Sequence, residues 1–93
     1  MLYLKNFEQK LINFPEGSFY AEYKTLKYLA TKSVMSKGGV IKFYAYELGG
    51  NDFVSCNFYM TKGKNLLKPC EMSPDKVIDF VLNAKLLKDE GTK

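Results

Sequence analysis

The sequence has no histidine, no arginine and no tryptophan, although it contains 14 lysines among 93 residues. Histidine is the side chain that exchanges protons near neutral pH, so its absence excludes Ser-His-Asp and Cys-His catalytic systems and every histidine-containing zinc site. The absence of arginine removes the planar fork that holds a phosphate or a guanine edge through two hydrogen bonds. The composition therefore argues against most catalytic mechanisms and against base-specific DNA recognition.

Length and hydropathy indicate one small globular domain. A chain of 93 residues with 46% hydrophobic side chains can form a single core. No stretch reaches the roughly 18 apolar residues of a membrane helix, and the first turns, which contain Glu8, lack the features of a signal peptide. We expect one domain over residues 1–93, in the cytoplasm, with no membrane partner and a frayed tail over residues 88–93.

The basic charge and the two cysteines have ordinary explanations. The net charge of +4 comes from lysine alone, which contacts phosphate as a point charge without geometric specificity, so solubility explains it more simply than nucleic-acid binding. Cys56 and Cys70 are too few for a disulfide framework and are expected to be reduced. Two thiolates without histidine cannot complete a four-ligand zinc site within one chain. We therefore predict no metal and no cofactor.

The hydrophobic period changes from helical to extended and back. An apolar stripe at helical spacing ends at Phe14-Pro15-Glu16-Gly17, and a second helix is predicted from the capping sequence Ser73-Pro74-Asp75 to about Leu87. Between them, alternating segments predict four strands and a short fifth. These cover Ser18 to Lys24, Lys27 to Met35, Val40 to Leu48, Phe53 to Thr61 and Leu66 to Lys68. Glycine-containing turns join most of them, including one at Lys62 to Asn65 before the fifth strand.

This order predicts an α+β fold, in which an antiparallel meander of four to five strands is flanked by an N-terminal and a C-terminal helix packed on one face. The apolar side chains of alternating strand positions, such as Ile41, Phe43 and Ala45, would face the helices. The opposite face would then carry tyrosines and lysines.

That opposite face is the candidate binding surface, and its predicted residues are Tyr20, Lys24, Lys42, Tyr44, Tyr46 and Tyr59. Tyrosine is enriched in protein interfaces, which favours a protein partner, including a second copy of the chain. Tyrosines among lysines also suit weak, sequence-tolerant binding of single-stranded nucleic acid. The third interpretation is a solvated sheet that cross-strand tyrosines stiffen.

Cys70 is the one candidate for thiol chemistry. It stands shortly before the second helix and follows Lys68-Pro69, so a helix dipole and an ammonium group could stabilise its thiolate. Glu71 opposes this ionisation, and no base stands near it in the sequence. Cys56 is interpreted as a small filler within a strand.

Three segments, Lys42 to Ser55, Leu66 to Met72 and Lys76 to Phe80, resemble a family of small, uncharacterised bacterial proteins. Some of its members carry the label peptide methionine sulfoxide reductase, and the resemblance implies a bacterial setting and, under that label, a redox role at Cys70. The sequence departs from those reductases, because it has neither a Gly-Cys-Phe-Trp core nor paired Cys-x-x-Cys motifs. Our leading expectation is therefore a non-catalytic binding or regulatory module that contacts a protein through the sheet face. Single-stranded nucleic-acid binding and a thiol redox activity are the alternatives.

Overall fold

An antiparallel sheet of six strands, with two helices packed on one of its faces, forms the structure. The computed structural model describes residues 2–61 and 64–87. The helices are α1 (Leu2–Asn13) and α2 (Pro74–Asn83), and the strands are β1 (Gly17–Tyr23), β2 (Leu26–Met35), β3 (Val40–Glu47), β4 (Phe53–Thr61), β5 (Lys64–Pro69) and β6 (Lys85–Leu86). The predicted α+β class, with an antiparallel sheet, is confirmed.

The strand order in the sheet is β5-β4-β3-β2-β1-β6. Strands β1 to β5 are thus neighbours in sequence order, as in a meander, because short turns join each strand to the next. The sixth strand was not predicted, and it lies at the edge beside β1. The turn predicted at Lys62 to Asn65 falls partly outside the described residues, and its last two residues belong to β5. The predicted frayed tail, residues 88–93, lies outside them.

The prediction that the second helix continues to about Leu87 is wrong. The helix ends at Asn83, and the chain turns into an extended conformation at Ala84 (φ −71°, ψ 142°). The Lys10 ammonium of α1 donates hydrogen bonds to the carbonyl oxygens of Leu82 (3.1 Å) and Ala84 (2.7 Å). These bonds satisfy carbonyls that a longer helix would have paired internally.

Beyond this point the chain gains hydrogen bonds at the sheet edge. The main-chain N–H of Leu87 donates to the carbonyl oxygen of Tyr20 at 3.0 Å, and Lys85 and Leu86 pair with β1. An edge strand offers unpaired N–H and C=O groups, so two residues of pairing there replace the last turn of the predicted helix.

The core lies between the helices and one face of the sheet. Alternating strand residues are buried, including Ala21, Ile41, Phe43 and Ala45. Aromatic rings join the layers: Phe14 at the end of α1 stacks on Phe43, with centroids 5.6 Å apart, while Phe80 of α2 packs against two tyrosines of the sheet. Both helices therefore cover the same face, and we call the other the open face.

Candidate functional site

Four side chains form a continuous row across the open face, one from each of four neighbouring strands. In the strand register, Tyr20 lies opposite Leu29, and Leu29 lies opposite Tyr46. Tyr46 in turn lies opposite Phe53. Directly opposed side chains on one face of a sheet are separated by about 5 Å at Cβ, so they contact one another. We call these four residues, three aromatic side chains and one leucine, the aromatic row.

Tyr44 extends the aromatic row toward the middle of the face. Its ring centroid lies 5.9 Å from that of Tyr46 and 6.2 Å from that of Phe53, in tilted arrangements. Tyr44 and Tyr46 keep 45% and 40% of their surface exposed. Exposed aromatic rings fixed by neighbouring rings have already lost much of their conformational freedom, which lowers the entropy cost of binding.

Most of the residues predicted for this surface do lie on it. Tyr20, Tyr44 and Tyr46 belong to the aromatic row or contact it, and Lys42 is exposed on the same face. Tyr59 shares the face but lies opposite Val40, four residues from Tyr44 along β3, or about 13 Å away. Tyr59 is therefore separate from the aromatic row.

Lys24 does not belong to the open face. It lies in the two-residue turn between β1 and β2, and its ammonium nitrogen stands 5.3 Å from the ring centroid of Tyr23. Tyr23 faces the helices, so Lys24 extends toward the covered side of the sheet. The prediction continued the strand alternation one residue past Tyr23, where the chain already turns.

Among the open-face residues that the sequence did not point to, Lys27, Leu29 and Phe53 adjoin the predicted tyrosines. The ammonium nitrogen of Lys27 lies 4.6 Å from the Tyr20 ring centroid, within the range of a cation–π contact. Leu29 and Phe53 complete the aromatic row. The strand alternation already indicates that these residues share a face. Which side chains they contact can be predicted only when the register between the strands is known.

The charges of the open face are mainly positive. Register and exposure place four strand lysines on it: Lys27, Lys42, Lys68 and Lys85. Within the described strands only two carboxylates occur, Glu22 and Glu47. Glu22 shares the open face with Lys27 and Lys85, whereas Glu47 lies opposite Tyr28 on the covered face. The open face therefore attracts negatively charged groups.

The covered side contains a second cluster of polar groups, in a cleft of about 500 Å³ beside α2. The Tyr23 hydroxyl donates to Asp79, and the Tyr28 hydroxyl donates to Asp52 at 2.6 Å. Asp52 also accepts a hydrogen bond from the Lys76 ammonium, with which it forms an ion pair. These contacts fasten α2 to the sheet.

The protonation states of this cluster favour a structural role. Burial, followed by the hydrogen bond to Asp79, raises the pKa of Tyr23 to about 12, and burial and Asp52 raise the pKa of Tyr28 as well. Burial alone would raise the pKa of Asp52, but the hydrogen bonds from Lys76 and Tyr28 outweigh it and lower that pKa. At neutral pH the two tyrosines therefore stay protonated and Asp52 stays ionised.

The two cysteines lie in different environments. Cys56 is buried beneath the helices, and this burial, with a smaller effect of Cys70, raises the pKa of its thiol to about 12. Cys70 is exposed just after β5, and its main-chain N–H donates to the carbonyl oxygen of Ser55 at 3.0 Å. It lines a hollow of the open face near Lys42.

Within residues 2–61 and 64–87, no group of three or more Cys, Asp or Glu side chains is arranged to hold a metal ion. None of the described helices combines the length and the apolar character needed to cross a bilayer. In comparisons with known proteins, no family model, no curated protein and no solved structure matches the chain.

Proposed function

We propose that this protein is a non-catalytic binding module whose open face docks a different protein, one that presents an apolar centre surrounded by carboxylates. The aromatic row is the observation that carries the proposal. It spans four strands without interruption, and its tyrosines are of the type that dominates binding energy at protein interfaces.

The lysines on the open face argue for the acidic character of the partner. Among the strand side chains that the structure describes, four lysines and one glutamate lie on this face. Charged groups around an apolar centre steer association and select the partner, since a surface of like charge is repelled. A partner with carboxylates in its rim would meet these ammonium groups.

The same charges disfavour docking of a second copy through this face. Face-to-face packing of two identical open faces would bring lysines such as Lys42 and Lys68 of one copy close to those of the other. Like charges that meet across an interface cost several kcal/mol. A heterologous partner avoids this repulsion.

The geometry of the rings favours a protein over single-stranded nucleic acid. Bases stack on flat ring faces that are free to receive them. The rings of Tyr44, Tyr46 and Phe53 are instead tilted against one another at 32° and 44° and use part of their faces in mutual contact. The phosphate contacts would also rely on lysine alone, without a bidentate donor.

A photo-crosslinking experiment tests the proposal. The crosslinking amino acid p-benzoylphenylalanine replaces Tyr44 on the open face or, as the matched control, Ile12, which is 48% exposed on α1. In cells of the source organism, we expect position 44, and not position 12, to link to one other protein, which mass spectrometry identifies. The purified partner should bind the Tyr46→Ser variant about 30-fold more weakly than wild type, and the Ile12→Ser variant equally well.

Three results would contradict the proposal. They are crosslinks from position 44 to nucleic acid only, crosslinks only to other copies of the chain, and equal affinity of the identified protein for the Tyr46→Ser and wild-type chains. The first result would support the single-stranded nucleic-acid interpretation, and the second a homodimer.

A further inference from the structure

The centre of the open face holds a shallow hollow of about 340 Å³, next to Tyr44. Its polar lining comes from β2, β3 and β4 and from the residue that follows β5. The side chains that contribute are Thr31, Ser33, Lys42, Ser55, Asn57 and Cys70. The hollow lies between the aromatic row and the apolar end of the face that contains Tyr59.

The described lining of the hollow contains hydrogen-bond donors and no carboxylate. The hydroxyls of Ser33 and Ser55 and the amide of Asn57 can each donate a hydrogen bond, whereas the Thr31 hydroxyl shares one with the Ser18 hydroxyl at 3.2 Å. Lys42 supplies the only formal charge, and no described residue accepts a hydrogen bond or forms an ion pair with its ammonium group. Such a set of groups is complementary to an oxyanion.

The charge of the hollow distinguishes a carboxylate from a phosphate. A phosphate monoester carries about −1.5 to −2 charges at neutral pH and is usually held by more than one cation. A carboxylate carries one negative charge and matches the single ammonium of Lys42. Its two oxygens can accept hydrogen bonds from Lys42 and from the neighbouring hydroxyls at the same time.

We infer that this hollow receives the carboxylate of an aspartate or glutamate side chain from the docked protein, with Lys42 as its ion-pair partner. The inference rests on the proposed function and specifies one contact of it. Tyr44 lines the hollow and also contacts the aromatic row, so the apolar and the ionic contacts of the partner would be adjacent. Docking would cover the ion pair and strengthen it, because contact with water weakens exposed pairs.

A neighbouring lysine supplies the matched control. Lys68 lies on the same face as Lys42, and Asn57 stands between them in the register, but Lys68 does not line the hollow. Both side chains are exposed, so neither Lys42→Gln nor Lys68→Gln should prevent folding. The two variants change the net charge equally and differ only in whether the hollow loses its ammonium.

The first measurement needs no partner. Acetylglutamate methylamide, acetylglutamine methylamide and inorganic phosphate are titrated into the isotope-labelled protein and followed by NMR. We expect saturable shifts of the amides of Ser33 and Asn57 with the glutamate compound only, retained in Lys68→Gln and lost in Lys42→Gln. Equal shifts with the glutamine compound, or a stronger response to phosphate, would overturn the assignment of a carboxylate.

The second measurement uses the identified partner. Lys42→Gln should weaken the binding of the partner by about 10-fold. Lys68→Gln removes only a peripheral charge and should weaken it by no more than about 2-fold. Equal effects of the two variants, with binding still dependent on Tyr46, would refute the carboxylate contact and leave the docking face intact. Binding that depends on neither Tyr46 nor Lys42 would refute both proposals.

Discussion

The ammonium group of Lys32 donates a hydrogen bond to the main-chain carbonyl oxygen of Phe14 at 2.8 Å, which ties β2 to the end of α1. A second hydrogen bond from the same group reaches the carbonyl oxygen of Ile12 at 2.6 Å. Lys32 is only 5% exposed, and burial lowers its pKa. Lys10 performs the corresponding role at the end of α2. Each helix thus ends against a lysine that comes from another element of the fold.

Replacing Lys32 should destabilise the protein. In Lys32→Met, the carbonyl groups of Ile12 and Phe14 lose their donor, and an unsatisfied buried acceptor costs about 1–3 kcal/mol. We expect the free energy of unfolding to fall by about 2 kcal/mol, as measured by urea denaturation. Lys42→Met on the open face is the control and should change it by less than about 0.5 kcal/mol. A Lys32→Met variant as stable as wild type would show that the two hydrogen bonds only offset the cost of burying the ammonium group.

The contribution of Asp52 to stability should depend on pH. Its pKa in the folded state lies below the unfolded value of 3.8, so the ionised carboxylate stabilises the fold above that value, and the contribution is lost as the pH falls through the folded pKa. At pH 7 we expect Asp52→Asn to lower the free energy of unfolding by about 1 kcal/mol. The difference from wild type should shrink below about pH 4.

Chemical denaturation at a series of pH values measures this difference. The control is Glu71→Gln, which makes the same change of charge in an exposed loop and should alter the free energy of unfolding at pH 7 by less than about 0.5 kcal/mol. A constant difference between wild type and Asp52→Asn over the whole range would mean that the ion pair with Lys76 does not stabilise the fold.

The two cysteines should react at very different rates. Burial raises the pKa of Cys56 to about 12, whereas Cys70 is exposed. Because the thiolate is the nucleophile, iodoacetamide should modify one thiol of the folded protein, and Cys56 should react only after unfolding. Mass spectrometry of peptides identifies the site. The Cys70→Ser variant should show no labelling while it is folded. Equal labelling of both thiols in the native protein would contradict the burial of Cys56.

The turn between β1 and β2 should accept a stabilising substitution. Lys24 and Thr25 have positive φ angles of 53° and 64°, which suit asparagine and glycine better than lysine and a β-branched residue. The double variant Lys24→Asn, Thr25→Gly should raise the free energy of unfolding by about 1 kcal/mol. Thermal denaturation measures the change.

A glycine substitution inside a strand tests whether the expected stabilisation is specific to the turn. Thr31 lies inside β2, so Thr31→Gly should destabilise the fold by about 0.5–1 kcal/mol. A turn variant that is less stable than wild type would indicate that the contact between Lys24 and the Tyr23 ring outweighs the backbone strain.

The alternation of side chains predicted the sheet well, because it is a local property of the chain. Ile41, Phe43 and Ala45 occupy every second position of β3, and all three are buried. Ser73 was predicted to cap α2, and its hydroxyl accepts a hydrogen bond from the main-chain N–H of Lys76. Both features depend on residues close together in the sequence, so the pattern alone was sufficient.

The positions of Lys32 and Lys24 could not be predicted in this way. Lys32 lies on the same face of β2 as the buried Tyr28 and Ala30. A lysine can be buried there only if hydrogen-bond acceptors lie within reach of its ammonium group. Those acceptors belong to a segment 18 to 20 residues away in the sequence. Lys24 was misplaced because a turn of two non-glycine residues gives no clear signal in the sequence.

Local patterns in the chain were enough to predict two helices and strands β1 to β5, and the composition set the available chemistry, including the lack of histidine and arginine. Which side chains adjoin depends on the complete fold: it places Tyr20 and Phe53 in one row, separates Tyr59 from them, and brings Ser33, Lys42 and Asn57 around one hollow. The reason is that neighbours across a sheet are set by strand order and register. These depend on how the whole core packs, not on any single segment.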